Sequence, residues 1–200
     1  MVNFKKLYLA YKTFKNPQKI GDFALLKSDL FGARANRTTE AKMQSVRGYY
    51  PAIDLKKLSQ LPPQTFGYEY ARYMQQNKLQ PIKISPEFAE VAHNNVFATR
   101  YAVTHDMFHL LLGFDTTYAG EIGVLAFAVE QNYSRMLNFS LFPALIIYSA
   151  IAPTQFKSIL ANMRRGRKMA QKARFLLNYR FEDNWAKPID TVRSNLNIEY

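Results

Sequence analysis

Apolar residues recur along most of this chain at three- and four-residue intervals, the period of a helix with one buried face, while strand-like alternation is weak throughout. Residues 1–16 set Phe4, Leu7, Tyr8, Tyr11 and Phe14 on one helical face with Lys5, Lys6, Lys12 and Lys15 elsewhere, and Pro17 closes the pattern. A second helix follows from Ile20 to Phe31, and the polar run from Gly32 to Glu40 reads as a connector or helix start. Asp54 is a start signal and Pro62-Pro63 a stop, which predicts a short helix from Leu55 to Leu61. Thr65 to Gln76 reads as another helix, with Phe66, Tyr70 and Tyr73 on its inner face. LQPIKISP is extended, and Glu87 to Thr99 resumes a helical pattern.

Two of the three histidines lie in the next stretch. His105 and His109 are four apart, one helical turn, so both imidazoles share a face, with Asp106 beside them. Gly113 ends that helix readily, because glycine accepts the left-handed conformation. Thr117 is an acceptable N-cap for a following helix, which places Glu121 about one turn in. The short connection predicts an antiparallel hairpin that brings His109 and Glu121 to the same level, His105 one turn deeper and Asp106 on the flank. Two nitrogens and one or two carboxylates suit zinc, and equally the two-histidine, one-carboxylate arrangement of non-haem iron; magnesium, which prefers oxygen, suits them less. HDMFH resembles the HExxH helix of zinc proteases only superficially, since Asp106 is a methylene shorter than the base required there. Hydrogen-bonded core histidines are the rival reading, and the isolated His93 reads as a structural or surface histidine.

Residues 136–156 hold no charged side chain and approach the length of a membrane span. Pro143, Pro153, Asn138, Ser140 and Ser149 argue for a buried helix from Phe142 to Ala152 instead. With Ile122, Val124, Leu125, Phe127 and Val129 it would line an apolar cavity or a helix-helix interface.

Composition changes the picture in two ways. The 200 residues contain no cysteine, so every metal ligand must be nitrogen or oxygen, and the chain has room for one core, hence a single domain over residues 1–200. A formal charge of +12 directs it to anionic partners. Its centre is the segment Arg164 to Arg180, with Arg165, Arg167, Lys168, Lys172 and Arg174 and no acid among them. A solvated face, an anionic-lipid patch and a nucleic-acid stripe compete there; aromatics are too sparse for the last, which ranks lowest. No continuous apolar signal region is present, whereas the lack of any acid before Asp22 is compatible with a mitochondrial presequence.

His105, Asp106, His109 and Glu121 form HDxxH, eleven residues, then Glu, and so resemble the motif of the Coq4 family of ubiquinone-biosynthesis proteins. LPPQTFGYEYARYM, Leu111-Leu112-Gly113 and the tail NYRFEDNWAKPIDTVRSNLNI are similar to other parts of that family. The resemblance implies an all-α, single-domain helical bundle with a metal-binding hairpin and an apolar lipid cavity. It implies a divalent metal, zinc favoured over iron or magnesium, held by the four motif residues, which would also be the catalytic ones. It further implies a polyprenyl lipid or prenylated quinone precursor as ligand, lying against Ile122, Leu125, Phe142, Leu145 and Ile146, where each CH2 removed from water contributes about 0.8 kcal/mol. The reaction implied is oxidative decarboxylation of a prenylated hydroxybenzoate, ring carboxyl to hydroxyl. The alternative is a non-enzymatic carrier of an isoprenoid lipid such as a prenyl phosphate, or a scaffold for quinone-pathway enzymes. Peripheral attachment to an anionic membrane, on the cytoplasmic or organelle-matrix side, and a homodimer complete the expectations. Leu125 and Ala128 depart from the Lys and Glu that the resemblance leads one to expect, which favours a simpler head group.

Overall fold

A computed structural model describes residues 8, 9, 11, 13 and 19–199, and among them every regular element is helical. The face expected on residues 1–16 lies largely outside the described residues. Ten α-helices follow in order among the described residues: α1 (Ile20–Leu30), α2 (Arg37–Lys42), α3 (Leu55–Leu58), α4 (Phe66–Gln76), α5 (Ala89–Asn94), α6 (Val96–Leu112), α7 (Tyr118–Glu130), α8 (Arg135–Ile151), α9 (Phe156–Lys172) and α10 (Ile189–Asn195). Among the described residues the one β-type contact is an isolated bridge between Thr65 and Pro188.

Local chemistry sets most of the boundaries. The side chains of Asn36, Asp54, Thr65 and Thr117 accept hydrogen bonds from first-turn amides of α2, α3, α4 and α7, satisfying donors that the helix itself leaves open. The predicted Leu55 to Leu61 helix is one turn, closing at Leu58. The Glu87 to Thr99 helix is two elements, because Asn95 interrupts it. The Asn95 side chain accepts from the Ala98 amide, as a cap does, and donates to the Ala33 carbonyl at 3.1 Å, so a cap and a tertiary contact hold the break together.

The centre of the molecule is α6. Met107, Phe108, Leu111 and Leu112 are fully buried in the largest apolar cluster, and each contributes about 1.5–3 kcal/mol of burial. Around Phe108 stand Phe127, Tyr133 and Phe181, with ring centroids 6.0–6.5 Å apart. A second cluster joins α1 to α5 and α6 through Leu25, Leu26, Phe88 and Ala92, and a third lies between α7, α8 and α9 around Ile122, Leu141 and Ile159. The helices α7 and α9 touch backbone to backbone: a Cβ on Gly166 would lie 2.2 Å from the Gly123 carbonyl oxygen, so only glycine fits this crossing.

The uncharged stretch departs from expectation. Its helix starts at Arg135, not Phe142, and runs through Pro143, whose missing N–H leaves only the Phe139 carbonyl without its partner. It is not a buried helix. Leu141 is the one fully buried residue on α8, whereas Phe139, Phe142 and Ile146 are 76, 70 and 54% exposed. The apolar composition extends around the whole helix, and only one side meets α7 and α9. Among the described residues no single helix is long and apolar enough to cross a membrane, although α8 and the Pro153–Lys172 segment satisfy that test together across a 115° bend.

Candidate metal centre

The hairpin forms as its turn chemistry dictates. Gly113 takes the left-handed conformation at φ 64°, and Asp115 Oδ1 accepts from both the amide and the hydroxyl of Thr117, so the chain reverses within a few residues and α7 starts at once. Glu121 thereby comes opposite the two histidines. His105 Nε2 lies 3.3 Å from one Glu121 oxygen, His109 Nε2 lies 3.3 Å from the other, and the two imidazole nitrogens are 3.2 Å apart. Three potential ligand atoms thus converge on one point, all within 4.8 Å of one another.

The surroundings fix how each group presents itself. His109 is 1% exposed, and its Nδ1 stands 3.3 Å from the Phe114 carbonyl oxygen, which can only accept. Nδ1 is therefore assigned a proton, so that once Nε2 has given up its own proton its lone pair faces the cluster. Burial opposes a charge on this imidazole, yet the hydrogen bond and charge of Glu121, helped by the Phe114 carbonyl and Asp106, raise its pKa above the usual histidine value. Burial likewise opposes ionisation of Glu121, but the hydrogen bonds from His105 and His109 outweigh it and lower the carboxyl to about 2. Glu121 and His105 are partly exposed, so the cluster has an open side.

Asp106 stands outside the group of three. It follows His105 on α6, where burial raises its pKa against the pull of both imidazoles, and the charge of Glu121 raises it further. Two phenols stand near the site: Tyr73, which the sequence placed on the inner face of its helix, and Tyr101, to which it assigned no role. Tyr101 meets the His105 ring edge-on at 5.6 Å, and its pKa is raised by burial and by the Glu121 charge. The Tyr73 hydroxyl is buried without a partner and feels both Asp106 and Glu121. Tyr101 precedes His105 by one turn, the one local signal that could have placed it in the site.

The five apolar positions expected to line a cavity do not share one environment. Ile122 is fully buried in the third cluster, Leu125 and Leu145 pack against it half-buried, and Phe142 and Ile146 point away on the exposed side of α8. The basic segment is also divided. Arg165 turns inward, donating to the Leu112 and Gly113 carbonyls at the end of α6 and lying over the Phe114 ring at 4.4 Å. Lys172 pairs with Glu199, while Arg164, Arg167 and Lys168 remain on the surface.

Residues 49–200 match the sequence profile of the family described as coenzyme Q (ubiquinone) biosynthesis protein Coq4. The chain belongs to the Coq4 family. Among similar Coq4 proteins, the mitochondrial ubiquinone biosynthesis protein COQ4 homologue of Danio rerio is 31% identical over 150 residues, covering 74% of this chain and 54% of that protein. The Nematostella vectensis homologue is 32% identical over 153 residues, covering 73 and 71%. The chain spans little more than half the length of its Danio rerio and Rattus norvegicus relatives. A crystal structure from Nostoc punctiforme, of a protein linked by name to ubiquinone biosynthesis, superposes over both whole chains with a TM-score of 0.68 at 22% identity, which shows the shared fold. The three converging ligand atoms therefore belong to His105, His109 and Glu121, every residue of the HDxxH and Glu motif except Asp106, set on a Coq4 fold.

Proposed function

We propose that this Coq4-family chain binds one divalent metal through His105, His109 and Glu121 and acts on the head group of a prenylated ring precursor in ubiquinone assembly. The observation behind this is the convergence of two imidazole nitrogens, 3.2 Å apart, on the Glu121 carboxylate, with each nitrogen 3.3 Å from a different carboxylate oxygen. A tetrahedral zinc ion with ligand distances of about 2.0–2.1 Å separates its ligands by about 3.3 Å, close to the 3.2 Å between the two imidazole nitrogens, and two nitrogens with one carboxylate are a donor set that zinc accepts. The smaller edges of an octahedral magnesium site, about 3.0 Å, and magnesium's preference for oxygen fit less well. Zinc is therefore preferred, with iron next.

When bound, the metal supplies a Lewis acid beside the open edge of the cluster. The protein groups have separate tasks. The Phe114 carbonyl holds His109 in the ligating tautomer. Asp106, outside the triad, orients the imidazoles electrostatically or adds a ligand. The Tyr73 hydroxyl, buried and unpartnered, is a donor ready for a ring oxygen. The activity proposed is replacement of the ring carboxyl by hydroxyl: the ring–carboxyl bond breaks and carbon dioxide leaves, water supplies the hydroxyl oxygen, and the two electrons and two protons removed pass to dioxygen, which leaves as hydrogen peroxide. Purified protein with bound metal, given a prenylated hydroxybenzoate in air, should form the hydroxylated ring, and Glu121→Gln should lose both metal and product while staying folded. Metal content unchanged in that variant removes Glu121 from the site.

A second reading is favoured by one position. Ala128 is fully buried in the largest apolar cluster and Leu125 is half-buried against the third, so neither position brings a further acid or base to the ring. On that reading the chain carries an isoprenoid lipid or holds other quinone-pathway enzymes together, and tight ligand binding without turnover in the same assay is its signature. The exposed face of α8 supports peripheral contact with a membrane in either case, on the face where quinone-pathway enzymes or a second copy of the chain would meet it.

A further inference from the structure

The start of α8 combines an open helix end, a buried hydroxyl and arginines. Ser134 is the N-cap residue of this 17-residue helix and is fully buried, yet its hydroxyl caps no amide and has no partner. A serine here ordinarily accepts from a first-turn N–H, and without that bond the positive end of the helix dipole is left open. Ser134 lines a pocket of about 330 Å³ together with Arg34, Arg37 and Arg135. Arg34 is committed to Asp29 at 2.5 Å. Arg37 and Arg135 are exposed and form no ion pair among the described residues. Two free guanidinium groups, a hydroxyl donor and open amides form a set that suits a tetrahedral dianion, since guanidinium recognises phosphate through paired N–H donors.

The ligand has a second requirement. Met136 also lines the pocket, and from it the exposed apolar residues Phe139, Phe142 and Ile146 continue along α8. Anion site and apolar stripe are continuous on one helix. An α-helix of this length spans about 25 Å, short of the roughly 30 Å hydrocarbon core, so it suits an in-plane position at the interface better than a crossing.

We propose that the Ser134, Arg37 and Arg135 pocket seats the phosphate monoester head group of a bilayer lipid, with α8 lying in the same leaflet. This rests on the membrane reading of the exposed α8 face and is independent of the metal centre. The test is flotation of the full chain with phosphatidylcholine vesicles containing either phosphatidic acid, a monoester, or phosphatidylglycerol, a diester, at equal surface charge. The wild type should prefer phosphatidic acid about tenfold, and Arg37→Glu, Arg135→Glu or Ser134→Ala should remove the preference, while Lys187→Glu, a surface charge elsewhere, should leave it. Phe139→Ser with Phe142→Ser should abolish binding to both vesicles. If the wild type floats with neither, the membrane reading and this site fall together. Equal binding to both lipids, unchanged in selectivity by the arginine variants, overturns the head-group site and leaves the membrane reading standing. Inorganic phosphate bound as tightly as the vesicles, measured by calorimetry, overturns the lipid assignment in favour of a soluble anion.

Discussion

Replacing Glu182 by glutamine tests how the helix bearing the histidines is anchored. Arg100, on α6, donates to Glu182 through Nη1 to Oε1 at 2.8 Å and Nη2 to Oε2 at 3.4 Å, with side chains 1 and 4% exposed. The guanidinium also donates to the Tyr49 and Tyr179 carbonyls and lies over the Tyr49 ring at 5.4 Å. Removing one partner of a buried pair costs about 3–5 kcal/mol, mostly because the other charge stays desolvated. Glutamine keeps the shape and one acceptor, and the two carbonyls remain, so the lower end, about 3 kcal/mol, is expected. For a domain of this size that is a fall in Tm of about 6–12 °C, read by circular dichroism on heating and by urea titration. Arg100→Met combined with Glu182→Leu should cost less than the sum of the two single replacements, because no buried charge remains and only the two orphaned carbonyls, about 1–3 kcal/mol each, are left. A fall below about 2 °C for Glu182→Gln, or a double variant as unstable as the sum of the singles, would refute the argument.

Gly166→Ala should destabilise by about 1–3 kcal/mol, since its methyl group would meet the Gly123 carbonyl; an unchanged urea midpoint would mean that α9 can slide away freely. Phe142→Ser, at an exposed position, should change stability by less than about 0.5 kcal/mol, and a loss as large as for a core residue would place α8 in a packed interface. Metal affinity should rise with pH. His109 has its pKa raised above the usual imidazole value in the metal-free protein, so a proton must leave before Nε2 can ligate, and the gain continues until pH exceeds that raised value; Glu121, ionised above about 2, adds no further dependence near neutrality. Calorimetry in buffers of different ionisation enthalpy should detect proton release, and affinity flat from about pH 6 to 8 would contradict the assignment. Asp106→Asn should retain metal, since Asp106 lies outside the converging triad, and metal loss in a folded variant would bring its carboxylate into the shell.

The parts of this molecule legible from sequence are those determined within a few residues. Asp54, Thr65, Gly113 and Thr117 act on their own helix ends, and the His105, His109 and Glu121 convergence needs only a tight turn between two helices. Features that join distant segments gave no local signal. Arg100 and Glu182 are far apart in the chain, and Asn95 breaks a helix partly through its bond to Ala33. The exposure of α8 was hidden for a different reason. Apolarity records what water disfavours, and nothing in residues 136–156 says whether protein, lipid or solvent lies against them.

The backbone contact between Gly123 and Gly166 removes the layer of side chains that normally cushions two crossing helices. Without that layer, α7 and α9 have no soft material to deform, and Arg165 adds a rivet from α9 to the end of α6. The half of the cluster that supplies Glu121 is therefore mechanically stiff. Compliance must reside in α8, which is fastened by little more than Leu141 and one flank. Its amides should exchange with solvent sooner than those of α7. A bulky guest approaching Glu121 would displace α8 and leave the hairpin in place, so the protein keeps its ligating corner fixed and lets the adjoining wall yield.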